Sequence, residues 1–157
     1  MGNNVTMKAS DTINGANGSC YVTINGSRYL LMQLVNVKAS GKINSEKIPI
    51  MGQTNKGNKP GTLEYSGSAS IHYATDVLRE MIYSYQETGE MMYFDMLIEN
   101  NDPNSKAGRK STILKDCCLT DATIAMLDAD KSTLDEDISF TFERFEMPEK
   151  FKNLSGM

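Results

Sequence analysis

The chain has 157 residues, 39% of them hydrophobic and 23% charged, with a formal net charge of −4 at pH 7. That length is one ordinary domain, large enough to bury a core without metals or disulfides, and the composition excludes wholesale disorder. The acidic balance excludes a general nucleic-acid binder, whose affinity rests on neutralising phosphates.

Residues 1–17 are rich in Asn, Gly and Ser and read as a flexible N-terminal arm. The start lacks the apolar segment of a signal peptide, and no apolar run approaches a membrane span, so the expectation is a cytosolic protein with no membrane anchor. The three cysteines, Cys20, Cys117 and Cys118, are odd in number and two are adjacent. They are expected to be reduced, with Cys20 and one of the pair packed as small apolar residues.

Cys20 to Ile24 alternates as a strand, and Asn25-Gly26 is a strong signal for a type I′ hairpin turn. Residues 28–38 return as a strand with Leu30, Met32 and Leu34 on one face and Leu31, Val35 and Val37 on the other, which predicts cover on both sides. Residues 39–62 hold four glycines and two prolines among polar residues. A stretch this long with only Ile48, Pro49, Ile50 and Met51 as an apolar cluster predicts an extended hairpin leaving the body of the domain.

Residues 63–73 alternate cleanly, with Leu63, Tyr65, Ala69, Ile71 and Tyr73 on one face and Glu64, Ser66, Ser68, Ser70 and His72 on the other. That pattern is a strand with one packed face and one wet face lined by small hydroxyls. The period then changes to helical over residues 75–89. Val77, Leu78, Met81, Ile82 and Tyr85 form the packing stripe, Thr75 or Asp76 can cap the start and Gly89 the end. Residues 91–100 read as a strand with Met92, Phe94, Met96 and Ile98 on one face, and a turn comes next at 100–103. Residues 109–119 and 122–127 are predicted as the next two strands. The last, 134–145, places Ile138, Phe140 and Phe142 inward and Asp137, Ser139, Thr141 and Glu143 outward. Residues 148–157 read as a tail.

The chemistry of the sequence is sparse. The single histidine, His72, lies on the polar face of a strand, where a surface role is the better prior. No Cys/His spacing suits zinc. Residues 52–59 fail as a phosphate loop because Asn58, not Lys, follows Gly57. The acids from Asp128 to Asp137 fail as a calcium loop because Thr133 and Ser139 stand where Gly and Glu are required. Lys106, Arg109 and Lys110 read as a solvated cluster or a rim contact. No nucleophile–base pair is discernible, so the expectation is no catalytic residue, no metal, no cofactor and no enzyme.

Residues 8–15, 67–78, 89–103, 125–130 and 137–143 resemble, in the same order, the tail-tube proteins of PBSX-like prophages, contractile-tailed phages and phage-tail-like bacteriocins. Among the residues carrying the likeness are Lys8, Gly15, Gly67, Leu78, Gly89, Pro103, Ala125, Asp130, Asp137 and Glu143. Residues 41–61 match the family pattern only loosely. The resemblance implies a mainly β (α+β) fold, with packed antiparallel sheets forming a partial β-barrel or sandwich, one flanking helix and a long projecting hairpin. It implies rings of six copies stacked into a tube, with four strands per subunit lining the bore. Such a tube sits inside a contractile sheath, meets a baseplate initiator at one end and is set to length on a tape-measure protein. It belongs to a virion tail or bacteriocin particle assembled in the host cytoplasm, for DNA passage or membrane puncture.

On that reading the hairpin residues Gly52, Gln53, Thr54, Asn55, Lys56, Gly57, Asn58 and Lys59 are candidates for contacts between rings. Ser66, Ser68, Ser70, Ser139 and Thr141 are candidates for the bore. Arg79, Glu80, Gln86 and Glu87 are candidates for the sheath side of the helix. Twenty-four tilted strands at about 4.8 Å spacing give a backbone diameter of roughly 48 Å and a bore somewhat under 40 Å, wide enough for duplex DNA. Two alternatives are a type VI secretion-like tube protein, and a cytosolic ligand-binding β-barrel, which would be a monomer with a closed pocket.

Overall fold

The computed structural model describes residues 8–30, 34–73 and 76–152. In chain order these contain a short 3-10 turn at Ala9–Asp11, then β1 (Gly18–Ile24), β2 (Ser27–Leu30), β3 (Leu34–Ile48) and β4 (Gly57–His72). They continue with α1 (Val77–Thr88), β5 (Phe94–Asn101), β6 (Arg109–Asp121), β7 (Asp135–Thr141) and β8 (Arg144–Glu149). All strand pairs are antiparallel. The order runs β2-β1-β5-β6-β7-β4-β3, with β8 also on β6. β2 and β3 end the path without pairing to each other among the described residues, so the sheet is open and not a closed barrel.

β6 is the hinge of this architecture. Its first part pairs with β5 and β8, and its last residues, Cys118 to Asp121, pair with β7. Between them the β5–β6 register slips, from Met96↔Leu114 to Phe94↔Cys117, and Asp116 adopts φ 54°. Such a bulge bends a strand and re-aims the residues beyond it. The Asp116 N–H donates to Asp95 Oδ1 at 3.2 Å, which holds the corner. One strand thus hands the chain from a β2-β1-β5-β6-β8 layer to a β6-β7-β4-β3 layer.

The core lies between the two layers. Cys20, Val22, Phe94, Met96 and Leu114 from the first join Ala69, Ile71, Ile138, Phe140 and Phe142 from the second, and α1 adds Leu78 and Met81. Phe94 and Phe140 meet across the layers at 6.3 Å between ring centroids. Gly67 belongs to this inner face because Phe140, its register partner, lies over it. A Cβ at Gly67 would stand 2.4 Å from the Phe140 ring, so no side chain fits there. The Asn25–Gly26 turn has positive φ at both residues, as a type I′ hairpin turn requires.

β3 and β4 pair from Leu34↔Ile71 to Ile48↔Gly57. Beyond Gly41 almost every residue of this ribbon is exposed, including Ile43 and Leu63.

Several expectations need correction. Residues 28–38 are not covered on both sides: Tyr29, Leu30 and Val35 are exposed, and the described parts pair in different layers, β2 with β1 and β3 with β4. Residues 31–33, with the expected positions of Leu31 and Met32, lie outside the described residues. Residues 122–127 form no strand, because both edges of β7 are already taken, by β4 and β6. The run 134–145 is two strands, β7 and β8, and β8 reaches Glu149, into the predicted tail. Residues 8–17 of the predicted arm are tied down. The Asn14 N–H and the Asn17 amide donate to the Asp102 carboxylate, and the Lys106 N–H donates to the Ser10 carbonyl. Backbone N–H groups of Asn14 and Asn104, above all, hold Asp102 below its ordinary carboxylate range.

Candidate functional site

The hydroxyl residues singled out in the sequence come together on one face. Cross-strand register places Ser66 beside Thr141 and Ser68 beside Ser139, with Ser70 beside Asp137. β3 extends the same face, with Asn36, Lys38 and Ser40 opposite Ser70, Ser68 and Ser66. Thr120, at the end of β6, lines the shallow depression over Ser68 and Ser139. The result is a wet face spanning four adjacent strands, whose opposite side carries Ala69, Ile71, Ile138 and Phe140 of the core. Lys38 was missed because the strand at 28–38 was read for its apolar positions alone, and Ser40 because residues 39–62 were read as an extended hairpin leaving the body of the domain. The signal was present in the alternation of Asn36, Lys38, Ser40 and Lys42.

One end of this face is acidic and hydrogen-bonded. Ser70 donates to Asp137 at 2.5 Å, and His72 Nδ1 lies 2.5 Å from Asp135, with both side chains half-exposed. His72 therefore belongs to the surface, on the same face as the serines.

Residues Gly52 to Lys59 all sit at the distal end of the β3–β4 ribbon. Gly57, Asn58 and Lys59 are in β4, paired with Ile48, Lys47 and Glu46, and the others form the turn. Apolar side chains cluster there too: Met51 is 101% exposed and Ile50 45%.

On α1, Glu80, Gln86 and Glu87 are exposed as the periodicity predicts, but Arg79 is not. Its side chain is 12% exposed and turned toward the sheet. There it pairs with Glu136, itself buried, and with Asp76 at 2.7 Å, and it donates to the Thr123 carbonyl. It also lies over the Tyr73 ring at 4.4 Å. Burial alone would lower the guanidinium's pKa, but the hydrogen bonds to Asp76 and Glu136 hold it above the ordinary value. Helical spacing put Arg79 outside because a charged residue flanking an apolar stripe reads as surface. Glu136 was missed for the matching reason, although strict alternation with Ile138, Phe140 and Phe142 places it inward. Tyr85, expected in the packing stripe, is 49% exposed, and α1 packs through Leu78 and Met81, with Val77 and Ile82 half-buried.

A second surface opens where the two layers splay apart. Ile43, Leu63, Tyr65, Phe142, Phe145 and Met147 line a groove of about 690 Å³. Tyr65 stacks on Phe142 at 4.9 Å and meets Phe145 edge-on at 5.6 Å, which orders its walls. Burial pushes the Cys20 and Cys117 thiols up to about 12, with Asp95 and Asp116 adding to the effect at Cys117. Neither is a poised nucleophile, since the thiolate is the reactive form. Among the described residues, no cluster of three or more His, Cys, Asp or Glu could hold a metal ion, and no helix is long and apolar enough to cross a membrane.

Comparison with known proteins bears on the family and the fold. The chain is 28% identical over 149 residues to the phage-like element PBSX protein XkdM of Bacillus subtilis (strain 168), covering 95% of this chain and 99% of that protein. Its fold is similar to the SPP1 tail tube, with a TM-score of 0.63 and 12% identity over 92% of this chain and 88% of that one. It is also similar to a chain of the PVC sheath–tube complex of an extracellular contractile injection system in its extended state. That match has a TM-score of 0.56 and 15% identity over 82% of this chain and 86% of that one. The model of the family described as phage tail tube protein matches residues 5–149, so the chain belongs to that family.

Proposed function

We propose that this chain is the repeating subunit of the inner tube of a contractile phage tail or phage-tail-like particle, built of stacked six-membered rings around an open channel. Its work is self-assembly and conduit formation, without catalysis. The observation that carries this reading is the continuous wet face of β3, β4, β7 and the end of β6, lined by Lys38, Ser40, Ser66, Ser68, Ser139 and Thr141. A sheet with one face in the core and one in water is complete as a wall but open at its edges, and edge strands must be covered or paired. Joining four such strands from each of six copies would remove those edges by closure.

In this arrangement the hydroxyl face lines the bore and lets DNA slide without gripping it. The β3–β4 ribbon reaches the next ring, and Glu80, Gln86 and Glu87 face the sheath. A baseplate initiator and a tape-measure protein set where the tube begins and ends.

Electron microscopy of the purified chain, with and without a baseplate seed, tests the reading. Hollow six-fold tubes are expected, their growth promoted by the seed. Lysine at Ser68 and Ser139 should leave tubes intact while slowing DNA passage. A tube map with those side chains buried between subunits would reject the bore assignment.

A further inference from the structure

The two ends of the molecule carry matched and opposite surfaces. The β3–β4 ribbon turns at Ile48↔Gly57, while its other end, at His72, pairs with Asp135 of β7. At about 3.3 Å per residue the sixteen-residue β4 separates these ends by roughly 50 Å. The turn end exposes Ile50 and Met51. Around them stand Lys47, Lys56 and Lys59 against Glu46, a net charge of +2.

At the opposite end, the segment between β6 and β7 exposes Ile124 (62%) and Leu127 (97%). These two large aliphatic side chains stand in water on one loop. Their surroundings are acidic: Asp121, Asp130, Asp135 and Asp137 are exposed, Asp128 partly so, and Lys131 is the only base between Asp121 and Asp137. Each end is therefore a small apolar patch inside a charged rim, and the rims are of opposite sign.

We infer that the hairpin tip of one copy docks on the segment between β6 and β7 of the next copy along the axis, with Ile50 and Met51 against Ile124 and Leu127. The chemistry selects a second copy of this chain, because complementary charge steers the ends together and like ends repel. The two patches are at different places on the molecule, so the contact is head-to-tail and repeats without closing on a pair. The inference rests on the stacked-ring reading and supplies the receiving surface for the tip.

Charge exchange tests it. Lys56→Glu with Lys59→Glu, or Asp121→Lys with Asp130→Lys, should each shorten stacks at low salt at least about tenfold by electron microscopy. The melting temperature should hold, since all four side chains are exposed. The variant carrying all four changes should restore stacking. Independently, Met51→Cys with Leu127→Cys should give a ladder of covalent multimers on oxidation, with no ladder from either single change. Wild-type stack lengths in both two-site variants, or stacks that yield no ladder, would overturn the tip-to-loop contact and leave the tube reading standing. A wild-type chain that never stacks, seeded or unseeded, would overturn both.

Discussion

Arg79 and Glu136 form an ion pair that ties α1 to β7 while Arg79 also holds the Thr123 carbonyl at the start of the segment between β6 and β7. Removing one partner of a buried pair costs more than the pair contributes, because the remaining charge loses both water and its counter-ion. Arg79→Leu should therefore destabilise the subunit by about 3–5 kcal/mol. The double variant Arg79→Leu with Glu136→Leu should recover a large part of that loss. Chemical denaturation of the four proteins in a mutant cycle measures it. Equal loss in the single and double variants would show that Arg79 acts through packing on Tyr73 alone. Arg79 did not announce its role in sequence, since a charge beside an apolar stripe ordinarily points to water, whereas the alternation of β7 did place Glu136 inward.

At the scale of elements, the β3–β4 ribbon is long, paired from end to end apart from irregularities at Val35 and Asn44, and poor in core contacts beyond Gly41. Its distal part is held by its own ladder and not by the rest of the domain. Deleting residues 53–60 should leave a subunit that unfolds cooperatively, within about 1 kcal/mol of the parent, because exposed positions contribute little. The same protein should fail to stack. A broad, non-cooperative melt would show that the ribbon is part of the folding unit. The sequence announced this element by its polarity and its glycines and prolines, but it gave no register. Strand character could not be separated from loop where apolar residues are so few.

The whole molecule presents four distinct surfaces: the hydroxyl face, the two oppositely charged ends, and the outer side of α1. The last carries Glu80 and Glu87 together with Tyr83, which is 65% exposed. Exposed helix charges contribute only about 0.5 kcal/mol each to folding. Reversing Glu80 and Glu87 to Lys should therefore leave the melting temperature nearly unchanged and weaken co-assembly with sheath protein. Leu78→Ala, by contrast, should cost about 2–5 kcal/mol and lower the melting temperature. If the charge reversals unfold the chain and Leu78→Ala does not, the two faces of α1 are inverted and the exterior assignment fails.

Local pattern alone determined the hydroxyl face and its apolar reverse, the Asn25–Gly26 turn, the extent of α1 and the outward direction of Glu80, Gln86 and Glu87. These features arise from side-chain period and turn stereochemistry, which neighbouring residues settle among themselves. Only the tertiary structure decided that β6 bends at Asp116 to serve both layers, that β7 has both edges occupied and offers none to residues 122–127, and that Arg79 turns inward. Each depends on residues distant in sequence: Asp95 for the bend, β4 for the occupied edge of β7, and Glu136 for the buried guanidinium. A contact between distant segments leaves no period in either one, so it becomes visible only when the chain has folded and both partners stand side by side.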